Sequence, residues 1–182
     1  MKKLLTLLLA ILIITTIFAQ KRDITLDDLW QNYTFYPSYI GGFNSMNDGE
    51  HYSTMERTED EQEIIKHQFK DGKKVRTLFS SADCDIPKIN DYTFSDDEKQ
   101  LLLSTETDKI YRHSSKSVYY IYNVFTDKLK KLSDDKVMYA TFSPKGDKVA
   151  YVFDNNLYIK NIRNEKITQV TTDGKKNHII NG

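Results

Sequence analysis

Arg112 is the side chain of this 182-residue chain whose setting most suggests chemistry. It lies in the run YRHSSKS, Tyr111 to Ser117, flanked by an aromatic ring and an imidazole. A guanidinium presents a rigid fork of donors suited to a carbonyl or carboxylate group. Other reactive residue types lack the spacing that makes machinery. No G-x-S-x-G turn is present to activate a serine, and Ser114, Ser115 and Ser117 lie in polar context. His51, His67, His113 and His178 are scattered without ligand spacing. His67 falls in a strand, where a hydrogen-bonding role is expected. Cys84 is the only cysteine, which excludes an intrachain disulfide and a multi-cysteine metal site. Asp48-Gly49, Asp71-Gly72 and Asp173-Gly174 read as turn chemistry. No catalytic residue, metal or cofactor is expected.

The elements that position Arg112 are repeats. Copies begin near Met46, Phe94 and Phe142, a spacing of 48 residues. Each opens on an aromatic residue or Met and a polar turn (MNDGEH, FSDDEK, FSPKGDK), and each closes on a similar strand (KKVRTLF, KLKKLSDD, EKITQVTTDG). A unit of this length cannot bury its apolar face alone and must stack on its neighbours. The middle copy is the longest: 38 residues from Phe94 to Leu132, against 32 from Met46 to Leu78 and 28 from Phe142 to Val170. Its surplus carries the Arg112 segment, and extra length in one copy maps to a loop, often on the binding face.

The fold class expected is all-β: antiparallel four-stranded blades of an incomplete β-propeller, about three blades, after an N-terminal signal peptide. In the third copy, Met138 to Phe142, KVAYVF, LYIKN and Lys166 to Val170 supply four strands, with a tight turn at Asn155-Asn156. Asp71-Gly72 joins EIIKHQF to KKVRTLF in the first copy. The charged stretch Glu56 to Glu63 reads as a solvated loop. In the second, QLLLST and SVYYIYNV are the central strands, and Glu106 to Lys116 is too long for a tight hairpin. Before the repeats, ITLDDLW reads as a short helix with Thr25 as N-cap and Asp27 and Asp28 in its first turn. Three blades do not close a ring, since propellers need about four to eight. The blades are therefore expected to be part of a longer protein.

Met1 to Gln20 has two lysines and an apolar run from Leu4 to Phe18. That describes a signal peptide cleaved after Ala19, with an uncleaved membrane anchor as the rival. The domain boundaries expected are 1–19 for the leader and 20–182 for the partial propeller. Beyond Ala19, 24 basic side chains face 26 acidic ones, a balance that offers no field for nucleic acid.

The segment YRHSSKSVYYIYN resembles a stretch of dipeptidyl peptidase IV and its relatives in the prolyl oligopeptidase family. There, an aromatic-Arg-His-Ser run leads into a strand ending in Ile-Tyr. FSPKGDKVAYVFDNNLYIKN, ITQVTTDG, ITLDDLW and SMNDGEHY are similarly placed, so the resemblance covers about Ile24 to Gly182, in a bacterial, exported member. Tyr120 departs from it, standing where relatives often carry an acidic residue. The resemblance implies serine peptidases with an N-terminal propeller and a C-terminal α/β-hydrolase domain. Such enzymes release dipeptides with Pro or Ala second from peptides with a free N-terminus. By the same resemblance, Arg112 binds a substrate carbonyl. The resemblance also implies paired glutamates, after a stretch like NHIING, that hold the substrate ammonium, and full-length relatives are commonly homodimers. Neither those glutamates nor the Ser-Asp-His triad falls within residues 1–182, so the catalytic domain is absent and this chain alone is not expected to be catalytic. The alternative is a non-catalytic periplasmic β-propeller binding module.

Export has a direct readout. N-terminal sequencing of the protein recovered outside the cytoplasm is expected to begin at Gln20, and a start at Met1 would favour the anchor.

Overall fold

The computed structural model describes residues 22–37 and 43–181. They belong to two units, 1–39 and 40–182. The leader expected at Met1 to Ala19 and the Gly41-Gly42 pair lie outside the described residues.

In the first unit a five-residue helix spans Leu26–Trp30. Thr25 caps it: its hydroxyl accepts from the Asp28 N–H at 3.2 Å, and the Asp28 carboxylate accepts from the Thr25 N–H at 3.0 Å. This reciprocal box satisfies two donors that the helix cannot pair internally. The Thr25 backbone and hydroxyl, helped by Arg22, hold the Asp28 carboxyl below its usual range. Among the described residues no helix is long and apolar enough to cross a membrane.

The second unit contains three antiparallel meanders of four strands. The first is β1 (Asn44–Ser45), β2 (His51–Arg57), β3 (Gln62–Gln68) and β4 (Lys74–Ser80). Next come β5 (Ile89–Phe94), β6 (Gln100–Tyr111), β7 (Ser114–Asn123) and β8 (Lys128–Lys131). The third has β9 (Met138–Phe142), β10 (Lys148–Phe153), β11 (Asn156–Asn161) and β12 (Ile167–Gln169). These are the all-β, four-stranded blades expected, three in number.

The repeat appears in the atoms, at spacings of 49 and then 48 residues. Met46, Ser95 and Ser143 each donate an N–H to the carbonyl of His51, Gln100 and Lys148, all at 2.9 Å. Within each turn one residue is left-handed: Gly49 at φ 69°, Glu98 at 54° and Gly146 at 66°. The middle copy does this without a glycine, so its glutamate carries the steric cost that the other two copies avoid.

Stacking follows from β6. A strand's side chains alternate between faces, and here both faces are apolar. Leu101 and Leu103 join Ile64, Phe79 and Tyr122 in the core shared with the first sheet. Leu102 joins Ile121, Val137 and Val149 in the core shared with the third. All three leucines are buried, and each contributes roughly 1.5–3 kcal/mol relative to exposure. Exposed pairs such as Lys130 with Glu165 are worth about 0–1 kcal/mol, so apolar stacking sets the architecture.

Polar pins then set the register between blades. The buried Gln62 amide accepts from the Ile89 N–H at 2.6 Å and donates to the Ile89 carbonyl at 3.0 Å. Gln100 donates to the Gly146 carbonyl at 2.7 Å. Lys160, largely buried, donates to the carbonyls of Lys131 and Leu132 at 3.0 and 2.9 Å.

Three local expectations change. The charged stretch is mostly strand: Glu56 pairs with Glu63 and Arg57 with Gln62, leaving only residues 58–61 to turn. The third-blade hairpin turns one residue earlier, at Asp154-Asn155, both left-handed (φ 44° and 61°), with Phe153 paired to Asn156. That frees the Asn156 side chain to accept from the Gly174 N–H at 2.9 Å. Gly174 itself serves close approach rather than a turn, since a Cβ there would sit 2.3 Å from the Asn155 carbonyl oxygen.

Replacing Gln62 with Leu strands the Ile89 N–H in the blade interface and leaves the Ile89 carbonyl only the Arg57 guanidinium, at 3.3 Å. A loss of about 2–4 kcal/mol is expected in urea unfolding, against less than about 0.5 kcal/mol for Glu59→Ala on the neighbouring turn.

Candidate functional site

The Arg112 segment is not a loop. β6 and β7 outrun their counterparts and pair nearly to their tips, through Asp108 with Lys116, Lys109 with Ser115 and Tyr111 with Ser114. Only Arg112 and His113 remain to turn. The polar, β-compatible residues from Thr105 to Ser117 extend the ladder instead of leaving it. Register breaks between Thr105 and Asp108 and between Lys109 and Tyr111 mark two bulges, which bend a ribbon and re-aim its side chains. Glu106, in the first bulge, is left-handed at φ 49°.

Meander connectivity places this arm at the sheet end shared with the 58–61 turn, the 81–88 link and the Asp154-Asn155 turn. The short turns near Gly49, Glu98 and Gly146 lie at the opposite end. The base of the arm is anchored on both sides. Asn90 accepts from the Thr107 N–H at 3.2 Å, and the hydroxyls of Thr107 and Ser117 lie 2.8 Å apart. Ser117 and Val137 exchange backbone hydrogen bonds at 3.0 and 2.9 Å. Lys136 reaches Asp108 at 3.0 Å. Nearer the tip, the Ser114 and Tyr139 hydroxyls lie 3.1 Å apart. Against the arm's base lies an open cavity of about 440 Å³ lined by Lys88, Asn90, Glu106 and Lys136 among others.

Arg112 is exposed at the tip and makes no hydrogen bond or ion pair among the described residues. Tyr111 beside it is 80% exposed. A cation with all its donors free, on a ribbon anchored at its base, can orient an incoming carbonyl or carboxylate.

Most of the other residues weighed from sequence are absorbed structurally, while His113 and His178 are exposed. His67 bonds Thr54 at 3.0 Å and the Gly72 carbonyl at 3.3 Å, and it stacks on Tyr52. His51 bonds Asp48 at 2.7 Å, and Ser114 and Ser117 support the arm. Cys84 lines a cleft of about 510 Å³ between the first two sheets, with Arg76, Phe79, Tyr122, Phe125 and Asp127. Burial pushes the Cys84 thiol up, away from the thiolate. Tyr122 donates to Asp127 at 2.7 Å, and burial holds that phenol protonated. The cleft therefore presents no activated group. Among the described residues no cluster of His, Cys, Asp and Glu could hold a metal ion. Sequence reasoning missed Tyr139, because Met138 to Phe142 reads as an ordinary strand, and missed both bulges of the arm, because Glu106 to Lys116 reads as a connection too long for a tight hairpin.

Blades and arm together define the class: a β-propeller segment that carries one elongated hairpin. Residues 95–182 match the family described as the dipeptidyl peptidase IV N-terminal region. The crystal structure of Porphyromonas gingivalis dipeptidyl peptidase 4 is similar over 85% of this chain and 22% of its own, at 38% identity and a TM-score of 0.70. Human prolyl endopeptidase FAP is 27% identical over 88% of this chain and 20% of its own length. Cat dipeptidyl peptidase 4 is 37% identical over 52% of this chain and 12% of its own. The chain thus resembles the N-terminal region of dipeptidyl peptidase IV-like proteins, and its match spans about a fifth or less of the length of these relatives.

Proposed function

We propose that this region is the N-terminal propeller portion of an exported serine exopeptidase that releases X-Pro or X-Ala dipeptides from peptide N-termini. The propeller gates and orients the substrate, and Arg112 donates to a substrate carbonyl so that the scissile bond meets the nucleophile. The observation that carries this reading is the exposed, unpaired guanidinium at the tip of an anchored arm, in a chain similar to the peptidases named above. Catalysis itself belongs to a hydrolase domain outside residues 20–182, and a homodimer of the full-length enzyme is part of the same reading. Export is supported by the lysines and apolar run before Ala19.

The test uses the full-length enzyme and a chromogenic Gly-Pro amide. Arg112→Ala is expected to lower kcat/KM by the equivalent of about 1–3 kcal/mol for a lost charge-assisted bond. Lys116→Ala, whose partner Asp108 is 3.9 Å away and exposed, is expected to be nearly silent. Equal losses would point to general disturbance of the arm and count against a carbonyl contact. An N-terminally blocked Gly-Pro amide separates the exopeptidase from an endopeptidase: comparable turnover of the blocked substrate would reject dipeptide release. Residues 20–182 alone are expected to release no chromophore. A saturable rate abolished by a serine-directed inhibitor would refute that.

A further inference from the structure

The geometry points to Tyr139 as a positioning residue for Arg112, a brace that reaches across from the third blade to the tip of the second blade's arm. Its role toward substrate rests on the peptidase reading above. In the β9–β10 ladder Thr141 pairs with Ala150 and Met138 with Val152, so Tyr139 and Ala140 together oppose Tyr151. That is a β-bulge, and bulges re-aim side chains. Tyr139 is left-handed at φ 53°, a conformation that a bulky side chain adopts only when its surroundings impose it. Core packing does not account for the strain. Ala140, not Tyr139, packs against the cluster of Leu102 and Val149, while Tyr139 is 49% exposed.

What the bulge achieves is the hydroxyl contact with Ser114 at 3.1 Å. Ser114 pairs with Tyr111 across the turn, so one contact steadies both sides of Arg112. The remaining ties between arm and neighbouring segments, at Thr107, Asp108 and Ser117, all hold its base. Beyond the bulge at Ile110, Tyr139 is the tie that reaches the tip among the described residues. A guanidinium gains by being fixed only if its direction is fixed, because misplacement of a donor by an ångström forfeits its orienting effect.

Tyr139→Phe removes the hydroxyl while keeping ring and backbone, and Ser114→Ala removes the other partner. In the full-length enzyme, amide hydrogen exchange from Lys109 to Ser115 is expected to quicken by about 2- to 5-fold in either variant, as for loss of one exposed hydrogen bond. The double variant should go no further, and β10–β11 amides should be unchanged. With the Gly-Pro amide, Tyr139→Phe should raise KM by a similar factor with kcat nearly constant, and should add nothing in an Arg112→Ala background. Unchanged exchange at the tip overturns the brace whatever the kinetics. Faster exchange with a full additional loss in the Arg112→Ala background overturns positioning through Arg112. Faster exchange with a silent Arg112→Ala overturns the peptidase role of Arg112 and, with it, any role of Tyr139 toward substrate.

Discussion

The burial of β6 on both faces is the constraint on which the rest of the structure depends. Leu101 and Leu103 commit the second blade to the first, and Leu102 commits it to the third. A sheet with one solvated face could pack in several ways, but a sheet apolar on both faces must be sandwiched. The sandwich places twelve strands as three stacked meanders and makes the second blade the best-supported part of the described residues. The arm grows out of that blade's two central strands, so its foundation is a ladder packed into both cores.

Stacking alone leaves blades free to slide, since apolar contacts are non-directional. Direction comes from a few polar side chains that satisfy backbone groups of the next blade: Gln62 on Ile89, Gln100 on Gly146 and Lys160 on the carbonyls of Lys131 and Leu132. Each is directional and costly to break when buried. They hold neighbouring blades in one register, and that register carries Tyr139 within reach of Ser114. Left-handed Glu106 and Tyr139 sit inside strands rather than at their turns, and both strained positions adjoin the arm. Strain gathered at one place and supported by a well-packed scaffold is the pattern of a functional element.

Much of the architecture was legible in the chain. The repeat spacing, with an aromatic residue or Met before a polar turn in each copy, located all three blades, because these repeat physics rather than chance composition. The Arg112 segment stood out as surplus length. Its form was misjudged: a long polar stretch between strands reads as a loop, yet a ladder continued by Asp108, Lys109, Ser115 and Lys116 satisfies more backbone groups than a loop does. The turn at Asp154-Asn155 slipped by one residue for a similar reason, since several polar residues tolerate left-handed backbone and only the ladder chooses among them.

By itself the sequence determined the strands, their grouping into repeats and the placing of a guanidinium in the longest copy, since alternation, turn residues and spacing are local properties of a chain. Tertiary structure decided that the surplus is a paired ribbon, that Arg112 has no partner at its tip among the described residues, and that a tyrosine 27 residues further on reaches Ser114 beside it. Those outcomes depend on which blade lies beside which and in what register. That is set by burial on two faces and by hydrogen bonds between distant residues, neither of which any single segment encodes.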